Sequence, residues 1–149
     1  MRRNSRFRSR KAGAAFSRYP VLMSDHAFTF TGRFRSFKYA FRGFGLMLRS
    51  QHNAWIHAVA TVIACGAAAA VGLGRLEWCV LIAAIVAVWV AEALNTAFEF
   101  LCDVASPEFH PMVEKAKDVA AGGVLLAAIG STILGSIIFL SHLVPSAAR

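Results

Sequence analysis

Residues 79–103, CVLIAAIVAVWVAEALNTAFEFLCD, begin as an unbroken apolar run and end with several polar side chains. The run has the length of a helix that crosses a membrane, which needs about 20 apolar residues. Four polar residues follow within it, and at about 100° per residue they share an arc of about 80° on one helix face. They are Glu92, Asn95, Glu99 and Asp103. Because ionisable groups are costly inside a membrane, this polar face is the first candidate for a functional site.

The composition places the chain among integral membrane proteins. It has 149 residues, enough for one domain, and 57% of them are hydrophobic. The mean hydropathy is +0.55, and the apolar residues come in long blocks. The three cysteines are scattered in or beside these blocks without a Cys-x-x-Cys spacing. Such cysteines are typical of apolar packing, not of a disulfide or a metal site.

The positive charge is concentrated in the first third of the chain. The net charge is +8, and twelve of the sixteen Lys and Arg residues lie at or before Arg49. A basic segment beside membrane helices suits anionic lipid headgroups. Nucleic-acid binding is the alternative explanation of the basic charge, but no nucleic-acid-binding motif accompanies it. We therefore expect no nucleic-acid partner.

Residues 34–50 are predicted to form an amphipathic helix at the membrane surface. Aromatic residues and a leucine recur there at helical spacing, and basic residues fill much of the remaining surface. Residues 1–33 are rich in Arg and Ser and are predicted to be a disordered basic tail. A transit peptide and a later start at Met23 are alternatives. The chain thus divides into a tail, 1–33, and a membrane domain, 34–149.

Three apolar segments are predicted to span the membrane, at about residues 55–73, 79–101 and 119–140. A turn at 72–78 and a polar loop at 104–114 separate them, and the prolines of the loop argue against a continuous helix. Small residues repeat every four positions in the first and third segments, which favours close helix packing. The expected fold class is an all-α membrane protein, with an interfacial amphipathic helix before three transmembrane helices.

The basic N-terminus predicts the orientation of the chain. Because Lys and Arg are retained in the cytoplasm, the N-terminus is expected inside and, after three spans, the C-terminus outside. The predicted location is the inner (cytoplasmic) membrane. In this orientation one group of polar residues lies at the cytoplasmic surface, where ATP is available: Glu99, Asp103, Lys117 and Asp118. Glu92 lies one to two turns deeper in the membrane.

The polar face suits phosphoryl transfer to a lipid. Neighbouring carboxylates repel one another unless a cation lies between them, and Mg²⁺ binds through one or two carboxylates together with substrate phosphates. Glu92 has apolar neighbours and is the candidate general base for a lipid hydroxyl. Lys117 is expected to neutralise phosphate charge, and Asp118 to position a metal-bound water or a hydroxyl. The sequence contains no P-loop or kinase-type glycine-rich loop.

Two segments resemble the signature of the prokaryotic diacylglycerol kinases and their undecaprenol kinase relatives. They are EALNTAFEFLCD at 92–103 and AKDVAAG at 116–122. FKYAFRG at 37–43 and NAWIH at 53–57 are also similar to that family, and the likeness covers roughly residues 34–142. It implies a small homotrimeric enzyme with three spans, which transfers the γ-phosphate of ATP to a lipid alcohol and needs Mg²⁺.

The resemblance implies roles for single residues. It implies that Glu92 is the catalytic base and that five further residues bind ATP or metal or belong to the active site: Asn95, Glu99, Asp103, Lys117 and Asp118. It places the metal at Glu99 and Gln51. The family often has a glutamate at the position of Gln51, so that one metal-binding charge is missing here. Arg35 and Lys38 loosely match basic positions near the nucleotide, and contact with lipid headgroups is the alternative for them.

The catalytic residues do not distinguish diacylglycerol from a polyprenol such as undecaprenol as the acceptor lipid, because both present a primary hydroxyl near the interface. The segments 53–57 and 106–111 slightly favour undecaprenol. An alternative function is a small oligomeric proton or cation transporter that uses the Glu92/Glu99 face as its path. Lys117 argues against a transporter, because a lysine at the entrance of a cation path would repel the cation. A phosphatase-like relative that acts on lipid phosphates is a third possibility.

Overall fold

The computed structural model describes residues 30–143, with side chains from residue 34, and the regular structure in this range is helical. The four helices are α1 (Phe30–Ser50), α2 (His52–Val71), α3 (Arg75–Ala105) and α4 (Pro111–Leu143). Helix α1 begins four residues before its predicted start, inside the predicted tail. The rest of that tail lies outside the described residues. The chain divides into two compact units, Met1–Phe37 and Lys38–Arg149, and the second contains α2, α3 and α4.

Helices α2, α3 and α4 are each long and apolar enough to cross a membrane. This confirms the predicted class, an all-α membrane protein with three candidate spans preceded by a further helix. Helices α3 and α4 contain 31 and 33 residues, which at 1.5 Å per residue amounts to more than about 45 Å each. The hydrocarbon core of a bilayer is about 30 Å thick. Both helices therefore extend beyond the apolar stretches that the sequence marks as spans.

The turn between α2 and α3 is shorter than the predicted 72–78, because residues 75–78 form the first turn of α3. Gly72 ends α2 in the left-handed region, with φ +77°, and the amide of Leu73 donates to the Ala68 carbonyl at 3.1 Å. Oε2 of Glu77 accepts a hydrogen bond from the Gly74 amide at 2.7 Å. This bond caps the N-terminus of α3, which allows the new helix to begin at once.

The loop between α3 and α4 is also shorter than predicted, covering 106–110 instead of 104–114. Helix α3 continues to Ala105, and the Ser106 amide still donates to the Cys102 carbonyl at 2.9 Å. Pro111 begins α4, because proline is tolerated in the first turn, where its missing N–H has no helical partner. As a result, the polar residues on both sides of the loop stand on helices.

Contacts along their length make α3 and α4 the most closely packed pair of helices. The Ser131 hydroxyl of α4 donates to the Ala84 carbonyl of α3 at 2.9 Å. Helix α2 is joined to α3 nearer the polar face, where Nε1 of Trp89 donates to the Thr61 hydroxyl at 3.1 Å. The Phe44 ring of α1 lies 5.1 Å from the Trp89 ring, measured between centroids. The two contacts of Trp89 hold α1 and α2 against α3 beside the polar face.

Candidate functional site

The polar face of α3 changes from buried to exposed along the helix. Glu92 is 1% exposed, Asn95 is buried, Glu99 is half-buried and Asp103 is exposed. From Glu92 to Asp103 the helix rises about 16 Å. One continuous helix therefore carries a deep carboxylate and a superficial one on the same side, as the sequence spacing predicts.

Glu92 lies beside a cavity of about 190 Å³. The cavity has lining residues from α2 (Asn53, Ile56 and His57), from α3 (Glu92 and Asn95) and from α4 (Ala121, Val124, Leu125 and Ala128). Within residues 30–143, neither carboxylate oxygen of Glu92 has a hydrogen-bond partner, and Oδ1 of Asn95 has none either. Nε2 of His57 lies 4.0 Å from Oε2 of Glu92. Buried polar atoms without partners cost roughly 1–3 kcal/mol each, so this part of the cavity favours a polar ligand.

Glu99 is held by two side-chain amides. Nε2 of Gln51 donates to its Oε2 at 2.5 Å, and Nδ2 of Asn95 donates to its Oε1 at 2.9 Å. Gln51 is the residue before α2, so the first of these bonds joins the start of α2 to α3. Three sequence-predicted site residues therefore meet in one cluster, about two turns from Glu92 along α3.

The Glu99 cluster fits a metal that is shared with a substrate, not a metal enclosed by protein. No group of three or more His, Cys, Asp or Glu side chains between residues 30 and 143 could hold a metal ion by itself. Mg²⁺ is usually bound by one or two carboxylates and completes its shell with water and substrate phosphates. Glu99 supplies one carboxylate, and the amide of Gln51 can supply an uncharged oxygen if it turns.

Asp103 and Lys117 form an ion pair across the short loop, with 2.5 Å between Oδ1 and Nζ. The pair joins the last turns of α3 to the first turns of α4. The Asp103 side chain is 64% exposed and the Lys117 side chain 36% exposed, so solvent screens the pair and it adds little to stability. Its main consequence is to hold an ammonium group at the end of the polar face.

Three other predicted site residues stand apart from these clusters. Asp118 is exposed on α4, next to Lys117 in sequence. Lys38 is exposed on α1. Arg35 is an exposed residue of the first unit. A role in nucleotide binding stays a prediction for all three.

Two residues of the site, His57 and Asn53, are not among those that the sequence predicts. Both lie on α2 and line the cavity beside Glu92. The segment NAWIH carried the only signal, because its two polar residues are one turn apart on one helix face. Helix spacing alone does not show which face of α2 meets α3, so it did not single out His57.

A second cavity, of about 750 Å³, adjoins the first. Its lining comes from all three long helices and is mostly apolar, with small side chains such as Ala64 and Gly135. His57 and Ala128 line both cavities. The polar cavity at Glu92 therefore opens next to a space suited to hydrocarbon.

Known proteins resemble this chain over most of its length. The sequence profile of the family described as "Prokaryotic diacylglycerol kinase" matches residues 38–139. An undecaprenol kinase of Bacillus subtilis (strain 168) is 37% identical over 121 residues, which are 80% of this chain and 97% of the relative. A diacylglycerol kinase of Synechocystis is 37% identical over 109 residues, 72% of this chain and 62% of the relative. A diacylglycerol kinase of Escherichia coli (strain K12) is 32% identical over 84 residues, 56% of this chain and 66% of the relative.

The transporter hypothesis gains no support from these relatives, which all carry the names of kinases. The family match covers α2, α3 and almost all of α4, and so includes most of the lining of both cavities. The chain therefore belongs to the prokaryotic diacylglycerol kinase family of membrane lipid kinases.

Proposed function

We propose that this lipid kinase transfers the γ-phosphate of ATP to the hydroxyl of a membrane lipid alcohol, with Glu92 as the general base. The observation that carries the proposal is the state of Glu92, which is buried beside a cavity with both carboxylate oxygens unpartnered among the described residues. A hydroxyl that entered this cavity would supply the missing hydrogen bond and would be placed for deprotonation.

The proposed reaction needs little covalent chemistry from the protein. The O–H bond of the acceptor breaks and its proton passes to the Glu92 carboxylate, while the acceptor oxygen forms a bond to the γ-phosphorus. The bond between that phosphorus and the oxygen bridging to the β-phosphate breaks, and ADP leaves with the electron pair. Positioning and charge neutralisation supply most of the catalysis in such reactions.

The nucleotide is proposed to bind at the superficial end of the polar face. The Glu99 cluster would hold Mg²⁺ through Glu99 and Gln51, and the ion, when bound, would neutralise charge on the phosphates. Lys117 would contact phosphate oxygens, kept in place by Asp103. Asn95, which stands between Glu92 and Glu99, would help to align the two substrates. Asp118, Arg35 and Lys38 are proposed as further contacts to the nucleotide or its phosphates.

A polyprenol is the favoured acceptor. The relative named undecaprenol kinase is matched over 97% of its length, whereas the relatives named diacylglycerol kinase are matched over 62% and 66% of theirs. The apolar cavity of about 750 Å³ that adjoins the cavity at Glu92 supports a hydrocarbon-bearing acceptor of either kind. Diacylglycerol is the second candidate acceptor, because its hydroxyl presents the same chemistry.

The orientation of the enzyme in the membrane and its oligomeric state are proposed from its charge and its family. The basic N-terminal region suits a cytoplasmic position, which would put the C-terminus outside the inner membrane. The large apolar side chains that α2, α3 and α4 expose can face lipid or a second subunit. A homotrimer is the proposed assembly, and cross-linking in membranes tests it.

The experiment that tests the function is a transfer assay on the full chain, purified in detergent micelles. Labelled ATP and Mg²⁺ are supplied with undecaprenol or with diacylglycerol in separate reactions. We expect labelled phosphate in the lipid fraction, with the greater kcat/KM for undecaprenol. Transfer to neither lipid contradicts the proposed function, and a preference for diacylglycerol contradicts only the choice of acceptor.

A further inference from the structure

We propose that His57 is a positioning residue for Glu92, which holds the carboxylate ionised and turned towards the acceptor. The inference rests on the proposed role of Glu92 as the base. His57 acts through Glu92 and exchanges no atom with the substrates, so the bonds made and broken in the reaction are unchanged.

The distance between the two side chains suits this role. Nε2 of His57 lies 4.0 Å from Oε2 of Glu92, and in residues 30–143 no other side chain makes an ion pair or hydrogen bond with that carboxylate. An opposite charge within about 4–6 Å favours the ionised form of a carboxylic acid. A base must be deprotonated when its substrate arrives, and the apolar surroundings of Glu92 oppose that. A cationic imidazole at position 57 would counteract the effect of these apolar surroundings.

The surroundings leave His57 as the main electrostatic partner of Glu92. Among the described residues that line the two cavities, these two are the only ionisable ones. The lining from α4 beside Glu92 is wholly apolar. The nearest further charge on α3 is Glu99, which repels the Glu92 charge and accepts hydrogen bonds from two amides.

A hydrogen-bonded chain holds His57 against α3. The Thr61 hydroxyl, one turn after His57, donates to the His57 carbonyl at 2.7 Å. The same hydroxyl accepts from Nε1 of Trp89 at 3.1 Å. Trp89 lies three residues before Glu92 on α3, so the bond joins the turn that carries the histidine to the turn that carries the glutamate. The spacing of the two side chains is thus set by a direct link between their helices.

The test measures the protonation of Glu92 directly, without relying on turnover. A hydrophobic carbodiimide reacts with protonated carboxyl groups inside membranes, and mass spectrometry of the labelled peptide reports the modified fraction. Wild type, His57→Gln and His52→Gln are labelled in micelles between about pH 5 and 9, the range in which histidine changes its charge. His52 is the matched control, an exposed histidine on the same helix that lines neither cavity.

We expect His57→Gln to extend the labelling of Glu92 to higher pH, because the carboxylate loses its cationic partner. His52→Gln should match wild type. In the transfer assay, the acid side of the pH profile of kcat should move in the same direction, with the KM for ATP unchanged. Labelling of Glu92 that is identical in His57→Gln and wild type would overturn the proposal, even if phosphate transfer is confirmed.

A second measurement leaves residue 57 intact, in case His57→Gln does not fold. The imidazole of His57 is observed by NMR in protein with labelled histidine, in wild type and in Glu92→Gln. The chemical shifts of the ring should change when the neighbouring carboxylate is removed. Identical ring chemical shifts in the two proteins would reject the pairing, and this result does not depend on whether the chain transfers phosphate.

Discussion

Nε2 of Gln51 donates a hydrogen bond of 2.5 Å to Oε2 of Glu99, which ties the start of α2 to the polar face of α3. The resemblance to the diacylglycerol kinases leads one to expect a second carboxylate at the position of Gln51. An amide can replace part of its structural role, because it binds Glu99 without the repulsion of two like charges. It cannot replace the charge that a carboxylate would offer to Mg²⁺.

Gln51→Glu is therefore expected to lower the Mg²⁺ concentration needed for half-maximal transfer, by several-fold. The added carboxylate supplies a second charged oxygen ligand beside Glu99. In the absence of metal the same change should lower the stability of the protein, because the introduced carboxylate and Glu99 would repel each other. A titration of activity with Mg²⁺ measures the first effect. An unchanged Mg²⁺ requirement would argue against a metal site at this cluster.

Lys117→Ala is expected to raise the KM for ATP about ten-fold or more, because one phosphate charge loses its counter-charge. Lys117→Arg should restore most of the affinity. The unfolding temperature should stay close to that of wild type, since the ion pair with Asp103 is exposed. Lys115→Ala, an exposed lysine on the same helix, is the control. Equal values of KM in Lys117→Ala and Lys115→Ala would remove Lys117 from the nucleotide site.

Glu77→Ala is expected to destabilise the bundle by about 1 kcal/mol without changing kcat. The carboxylate caps α3 through the Gly74 amide, and its Oε2 also lies 3.4 Å from Nε2 of His142 on α4. Both contacts are at the opposite end of α3 from Glu99. Glu114→Ala serves as control, because Glu114 is an exposed acidic residue in the first turn of α4. Thermal unfolding of the two variants in the same detergent measures the difference.

Gly72→Ala is expected to lower the free energy of unfolding by about 1 kcal/mol. Residue 72 has φ +77°, and a side chain is strained in that conformation. Gly66→Ala, six residues earlier on α2, should be neutral or stabilising by up to about 1 kcal/mol, since alanine is the better helix former. An added Cβ at Gly66 meets nothing within 4 Å in the described chain. Equal unfolding temperatures for the two variants would show that the turn at Gly72 tolerates a side chain.

The sequence was sufficient to predict the polar face, because the helical period alone places Glu92, Asn95 and Glu99 on one side of a span. It did not predict the ends of the helices. Gly72 and Gly74 complete the turn between α2 and α3 within three residues. Pro111 starts a helix where the sequence suggested a loop, because a proline in the first turn loses no helical hydrogen bond. Helix ends depend on such single residues.

Contacts between helices were the other part that the sequence left open. The pairing of His57 with Glu92 depends on which face of α2 meets α3, and the Trp89–Thr61 hydrogen bond that sets it joins residues 28 positions apart. Gln51 and Glu99 are 48 positions apart, and only the family resemblance, which places both at the metal, brought them together. Nothing in the local sequence of α2 marks these partners, since the small residues of that helix would allow several packing faces.

Turnover of Glu92→Gln tests the central claim most directly. The amide keeps the shape of the side chain in its cavity and removes its ability to accept a proton, so kcat should fall at least about 100-fold. The KM for ATP and the size of the particle in detergent should match wild type, and Glu114→Gln should keep wild-type turnover. Wild-type turnover in Glu92→Gln would contradict the assignment of Glu92 as the base.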